Sequence, residues 1–188
     1  KEIRRITEVL CHLQRSNSVM LIGEAGVGKT AVVEGLAMTI EFNPEKMPIR
    51  IRECQIVSLT MNMLVAGTML RGMFEHRIQN VIKELKKHPN LILFVDEAQS
   101  LIGAGSALGS PTDAATVFKS VLARGEVRMI AATTASEYKQ HIAEDEALAR
   151  RFRTVYIEEP TIEEARNILI KSKAQKEYNY TVNIKSEA

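Results

Sequence analysis

Gly23-Glu24-Ala25-Gly26-Val27-Gly28-Lys29-Thr30 fits the pattern G-x-x-x-x-G-K-[ST]. Few eight-residue strings constrain a fold as tightly. Val19-Met20-Leu21-Ile22 before it reads as a buried strand, and Ala31-Val32-Val33-Glu34-Gly35-Leu36-Ala37 after it reads as a helix. A strand, a glycine loop and a helix in that order form a phosphate-binding unit. The glycines let the backbone curl so that successive N–H groups point at phosphate oxygens. The helix N-terminus adds partial positive charge. In this reading residues 23 to 30 cradle the phosphates: Gly23, Glu24, Ala25, Gly26, Val27 and Gly28 through the backbone, Lys29 through its charge. The Thr30 hydroxyl is placed to bind Mg²⁺. The plain alternative is a glycine turn capping an ordinary helix, and a second motif argues against it.

That motif is Leu91-Ile92-Leu93-Phe94-Val95-Asp96-Glu97. Five apolar residues without alternation read as a strand buried on both faces of a parallel sheet. Ligands of such sheets sit at the carboxyl ends of the strands. Asp96 is therefore expected in the Mg²⁺ shell. Glu97 is expected further out, where it can orient and deprotonate a water. A second acid serves hydrolysis rather than simple nucleotide binding.

The remaining elements follow from periodicity. Ile3, Ile6, Val9, Leu10 and Leu13 recur at helical spacing. The helix after the phosphate loop is predicted to run to about Ile40, and Ile51 to Leu59 reads as a second strand. Phe74, Ile78, Val81, Ile82 and Leu85 mark a helix stopped by His88-Pro89-Asn90. Ser110-Pro111-Thr112-Asp113 opens another helix, ending near Gly125. Val127 to Ala132 and Thr154 to Ile157 read as the fourth and fifth strands, with short helices around Glu137–Ile142 and Glu146–Arg151 between them. Thr161-Ile162-Glu163-Glu164 is a capping box opening a final helix to about Lys176. Strands alternating with helices imply an α/β fold, a five-stranded parallel sheet with helices on both faces.

Composition narrows the function classes. The 188 residues carry a net charge of +2, with Lys and Arg scattered, which argues against a strong nucleic-acid or membrane partner. No apolar run is long enough to span a bilayer. The two cysteines, Cys11 and Cys54, have no metal-ligand spacing and read as free thiols of a reducing compartment. The start at Lys1 reads as that of a fragment or processed chain. The expected location is cytoplasmic, or an organellar matrix if a transit segment has been removed.

Taken together, the phosphate loop, Asp96-Glu97, Ala132-Thr133-Thr134 and Ala147-Leu148-Ala149-Arg150-Arg151-Phe152 resemble the first AAA+ module of the Clp/heat-shock unfoldases and disaggregases. Ala66-Gly67-Thr68 with Arg71-Gly72, Leu101-Ile102-Gly103-Ala104-Gly105 and Leu122-Ala123-Arg124-Gly125-Glu126 extend the resemblance over nearly the whole chain. It implies an AAA+ large nucleotide-binding subdomain over residues 1–159, with residues 160–188 as the first helix and tail of a truncated small helical subdomain. It implies ATP and Mg²⁺ as cofactors, a hexameric ring in the full-length protein, protein clients threaded through its centre, and room for a peptidase partner. Thr134 looks like the first sensor beside the γ-phosphate, with Thr133 as the neighbouring alternative. Without the resemblance, Thr134 is a threonine capping the next turn. Arg150 and Arg151 look like arginine fingers reaching a neighbour's nucleotide, a task suited to an always-charged planar fork. Without the resemblance, two such arginines are solvated or paired with Glu.

The chain departs from that family at three places. Met69, Leu70 and Arg71 stand at the substrate pore loop, with Leu70 where an aromatic grip is usual; core filling is the alternative for Met61, Met63, Met69 and Met73, the methionines around this loop. Gln99 stands where many relatives have His, and Thr116 where Asn is common. Two other readings remain beside the unfoldase. A nucleotide-gated scaffold that threads nothing is favoured by Leu70. A nucleic-acid-dependent ATPase is suggested by Asp96-Glu97-Ala98-Gln99, which is similar to a helicase box, but the chain lacks a basic stripe with stacking aromatics. A GTPase is disfavoured, because no Asn-Lys-x-Asp motif is present.

Overall fold

The unbroken apolar runs become parallel strands because each is covered twice. In the computed structural model, which describes residues 1–12, 17–65, 71–100, 120–122 and 124–181, β1 (Ser18–Ile22), β2 (Gln55–Leu59), β3 (Leu91–Val95), β4 (Arg128–Thr133) and β5 (Phe152–Tyr156) form a sheet in the order β2-β3-β4-β1-β5. Every pairing is parallel. Side chains alternate between two cores, as a pleated strand requires. Val19, Leu21, Ile92, Phe94, Ile130 and Ala132 enter one, where α1 (Glu2–Leu10) contributes Ile6 and Leu10 and α2 (Lys29–Phe42) contributes Val33, Leu36 and Ile40. Met20, Ile22, Leu93, Val95, Met129 and Ala131 enter the other, with Leu64 of α3 (Met61–Val65) and Ile78, Ile82 and Leu85 of α4 (Arg71–Lys87). Fully burying one such side chain stabilises by about 1.5–3 kcal/mol, and the two cores hold the sheet from both faces.

Several boundaries move from their expected places. The second strand starts at Gln55 rather than Ile51. Ile51 is fully buried but sits in a turn: its N–H donates to the Pro48 carbonyl, and its own carbonyl accepts from Cys54 N–H. The fourth strand extends one residue further, to Thr133, and the fifth starts earlier, at Phe152. The helix expected from Glu137 begins at Ala135 as α5 (Ala135–Tyr138) and continues as a π-helical turn, Lys139–Ala143. The next is shorter, α6 (Glu146–Ala149).

The chain divides into two compact units, Lys1–Ile157 and Glu158–Ala188. The second is built on α7 (Ile162–Tyr180), four residues longer than its expected end at Lys176 and started by the capping box of Thr161 and Glu164. Within it Ile162, Ile168, Leu169 and Ile170 are exposed. Cys11 and Cys54 are free thiols. Burial raises the pKa of Cys54 and the Arg128 guanidinium, 3.0 Å from its sulfur, opposes that rise. No helix among the described residues is long and apolar enough to cross a membrane. Leu13, Met69, Leu70, Leu101 to Gly105, the helix start at Ser110–Asp113 and Thr116 lie outside the described residues.

Candidate functional site

β1 runs between β4 and β5, and the loop that leaves it is pinned by both. Gly23 N–H donates to the Thr133 carbonyl at 3.3 Å, and Ile157 N–H donates to the Ile22 carbonyl at 2.8 Å. A Cβ at Gly23 would stand 2.6 Å from the Ile157 carbonyl oxygen and 2.9 Å from Val27 Cγ1. Only glycine fits there. Gly28 enters α2 with φ 104°, in the left-handed region that favours glycine. No side chain among the described residues caps α2. Its first N–H groups therefore lack the acceptor that a Ser, Thr or Asp at the N-cap would supply, and a helix start of this kind favours an anion.

Lys29 folds back over the loop. Its ammonium donates to the carbonyls of Gly23 and Glu24, both at 2.9 Å. Thr30, one residue on, donates its hydroxyl to Asp96 Oδ2 at 2.7 Å. The two residues are 66 apart in sequence, and β4 separates their strands. A hydroxyl and a carboxylate side by side are hard oxygen donors, which fit Mg²⁺. No group of three or more His, Cys, Asp or Glu that could cage a metal exists among the described residues.

Glu97 follows with φ 51°, unusual for a residue with a Cβ and costing about 1–2 kcal/mol. Three bonds hold it there. Its N–H donates to Asp96 Oδ1 at 3.0 Å, and its carbonyl accepts from Ser100 N–H at 2.9 Å and Ser100 Oγ at 2.7 Å. The backbone is clamped while the side chain stays exposed.

Lys29, Thr30, Asp96, Glu97 and Ser100 line one cleft of about 1010 Å³ at the carboxyl ends of the strands, together with Ala25, Gly26, Gly28, Thr133 and Thr134; Gly23, Glu24 and Val27 lie outside its lining. Sequence reasoning missed Thr60, Asn62 and Glu137, and gave Gln99 no role; all four line the same cleft. Glu137 does carry a sequence signal, as the third residue after the threonine of a Thr-x-x-Glu capping box, the pattern assigned above only at Thr161. A smaller cavity of about 140 Å³ lies at the amino ends of the strands, between Cys11, Asn17, Arg50 and Arg128. It shares none of the phosphate-loop residues.

β4 ends on Thr133, which is buried, and Thr134 lies just beyond the strand. Thr134 is the N-cap of α5. Its hydroxyl donates to Glu137 Oε2 at 2.7 Å, and Glu137 N–H returns a bond to it. That bond, with the Thr134 N–H and the Thr133 hydroxyl, holds the Glu137 carboxyl below the usual glutamate range against the opposing effect of burial; the charge of Lys29 adds to the lowering. Arg150 and Arg151 do not line the cleft among the described residues. Arg150 is exposed and ion-paired with Glu146 one helical turn earlier. Arg71 opens α4, so its backbone belongs to a helix rather than to a loop.

A lowered carboxyl pKa gives stability that is present above the ordinary Glu value and is lost as pH falls through the folded-state value. Melting temperature should therefore change little from neutral pH down to the ordinary carboxylate range, then drop below it. Glu84 and Glu126 contribute in the same direction, held down mainly by their bonds to Lys87 and Lys86. Melting Glu137→Gln between about pH 3 and 7 should show a shallower acid limb than the parent; identical limbs would contradict the assignment.

Residues 19–158 match the family model described as the ATPase family associated with various cellular activities (AAA). The chain is 44% identical over 187 residues to a probable ATP-dependent Clp protease ATP-binding subunit of Chlamydia pneumoniae, aligning all of this chain with 22% of that protein. It is 45% identical over 188 residues to the Clp protease ATP-binding subunit ClpC of Staphylococcus epidermidis, again the whole chain and 22% of the relative. With the chaperone protein ClpB of Oceanobacillus iheyensis the identity is 46%, over all of this chain and 23% of that one. Among solved structures, an S. cerevisiae Hsp104-ADP complex superposes with a TM-score of 0.86 and 34% identity, covering 98% of this chain and 31% of that one. The chain thus spans less than a quarter of the curated relatives named here. It belongs to the AAA family of ATPases, as a nucleotide-binding module of the Clp, ClpB and Hsp104 type.

Proposed function

We propose that this module binds Mg-ATP and hydrolyses it to drive remodelling of protein clients in a Clp-type unfoldase or disaggregase. The observation that carries the reading is the 2.7 Å contact of Thr30 with Asp96, in a cleft that also holds Lys29 and Glu97. The backbone of residues 23 to 28 and the ammonium of Lys29 bind the phosphates. Thr30 and Asp96 would hold Mg²⁺, which when bound neutralises developing charge on the phosphoryl oxygens. Glu97, rigid in backbone and open in side chain, orients the attacking water and accepts its proton. Thr134 acts as sensor. Arg150 and Arg151 act on the nucleotide of the next subunit in a hexameric ring. Residues 1–159 serve as the large subdomain, and residues 160–188 begin the small one, whose exposed Ile168, Leu169 and Ile170 await cover. Met69, Leu70 and Arg71 face clients in the pore, and a peptidase docks elsewhere on the ring. The ring works in the cytoplasm or an organellar matrix, without nucleic acid or membrane.

Glu97→Gln in the full-length protein tests the reading. The amide cannot take up the water's proton, whereas the phosphate contacts are untouched. Binding of ATP should persist and turnover should fall about a hundredfold or more. Turnover equal to the parent's would remove Glu97 from the base role.

A further inference from the structure

We propose that Glu137 is a positioning residue for hydrolysis, and that with Gln99 it locks the Glu97 turn and the Thr134 hydroxyl into one unit. The inference rests on the reading of Glu97 as the base of an ATPase.

The Glu137 carboxylate is used on both oxygens. Oε1 accepts from Gln99 Nε2 at 2.9 Å, and Oε2 accepts from Thr134 Oγ1 at 2.7 Å and from Thr134 N–H at 3.2 Å. Gln99 Oε1 in turn accepts from the Thr133 hydroxyl at 3.0 Å, while that hydroxyl stands 3.4 Å from Glu137 Oε2. A capping box needs only the threonine and the glutamate. Gln99 is a further partner 38 residues away in sequence. It lies two residues beyond Glu97, in the short helical turn whose Ser100 clamps the Glu97 carbonyl. Its amide therefore ties the turn that carries Glu97 to the end of β4. The capping box of α7, by contrast, is exposed.

The network also decides where one proton points. A hydroxyl has a single proton to donate, and Thr134 gives it to Glu137. A phosphate bound in the same cleft would compete for it with a second anionic acceptor. Glu137 thus sets how readily the Thr134 hydroxyl turns, while its bond to Gln99 keeps Glu97 at a fixed distance from that hydroxyl. A displacement of about 1 Å at a reacting group can cost on the order of a hundredfold in rate, so a tether of this kind acts on turnover more than on binding.

The test uses the full-length assembled protein. Gln99→Met keeps length but removes both the donor and the acceptor. It should lower kcat about tenfold or more, with KM for ATP and ring assembly unchanged and melting temperature lowered by only about 2–4 °C, as for the loss of about one hydrogen bond. Gln99→His should recover most of the loss, because a neutral imidazole donates from one nitrogen and accepts on the other. Glu137→Gln should also lower kcat, and the double variant Gln99→Met with Glu137→Gln should be no slower than the slower single one, since both break one unit. Parent-like kcat in Gln99→Met, a kcat loss that tracks melting temperature, or strict additivity would each overturn the proposal. Glu97→Gln is measured alongside. If it turns over like the parent, the base assignment fails and this inference falls with it; if it is inactive while Gln99→Met is parent-like, only the tether fails.

Discussion

Lys29→Ala is expected to abolish ATP binding while leaving the fold intact. The ammonium is held by two loop carbonyls at 2.9 Å, so it is already fixed where phosphate oxygens would meet it. Little ordering cost remains on binding. Each charge-assisted hydrogen bond of this kind contributes about 1.5–3 kcal/mol. Removing the ammonium removes every such bond it makes to the phosphates, and two of them are worth at least about a hundredfold in affinity, at about 1.4 kcal/mol per factor of ten. Lys29 belongs to neither core, and the carbonyls it leaves stay within reach of water. Titration calorimetry should find no binding at ATP concentrations that saturate the parent. Circular dichroism should match the parent, and the rise in melting temperature that ATP produces in the parent should vanish. Affinity within a fewfold of the parent's would remove Lys29 from the phosphate site.

Replacing Arg150 and Arg151 together by Ala should leave ATP binding intact and cut turnover of the full-length ring by about a thousandfold. The two arginines do not line the cleft of their own chain among the described residues. Among the described residues Arg150 is ion-paired only with Glu146, an exposed pair one helical turn back, worth about 0.3–0.5 kcal/mol. It can be released to an incoming phosphate at small cost. Arg151 makes no ion pair among the described residues. Mixing separates action on a neighbour from action at home. Rings of the double-Ala subunit have nucleotide but no fingers, and rings of Lys29→Ala subunits have fingers but no nucleotide. Each alone should be inactive, and mixed rings should recover part of the activity. Mixed rings as inactive as either parent, with ring assembly shown by sedimentation, would contradict action across the interface.

How far the residues can be read in advance depends on how local the cause is. The phosphate loop is legible because its physics is local: glycines at Gly23 and Gly28, a cation and a hydroxyl at fixed spacing, and a helix start with no competing cap. β3 is legible because five apolar residues running into two carboxylates leave few alternatives. The second strand is misplaced by sequence because Ile51 is buried for a tertiary reason, as a plug in a turn, and burial alone does not distinguish a turn from a strand. Glu137 is hidden because a Thr-x-x-Glu pattern looks the same at an exposed helix start and at a cleft wall. Gln99 stands out in sequence only as an oddity, since its two partners lie on another strand and another helix.

The sequence by itself determined the family and the parallel α/β architecture, and named the residues that line the cleft at its phosphate loop and at the end of β3. Those follow from periodicity, glycine placement and residue type within short windows, where chain connectivity already fixes the neighbours. The tertiary structure decided the rest. The strand order β2-β3-β4-β1-β5 puts Thr30 beside Asp96 across 66 residues. It brings the end of β4 against the Glu97 turn, so that Gln99, Thr133, Thr134 and Glu137 are joined by hydrogen bonds. Such contacts depend on which strands become neighbours. That is settled by how two apolar faces are covered at once, and no window of sequence contains it.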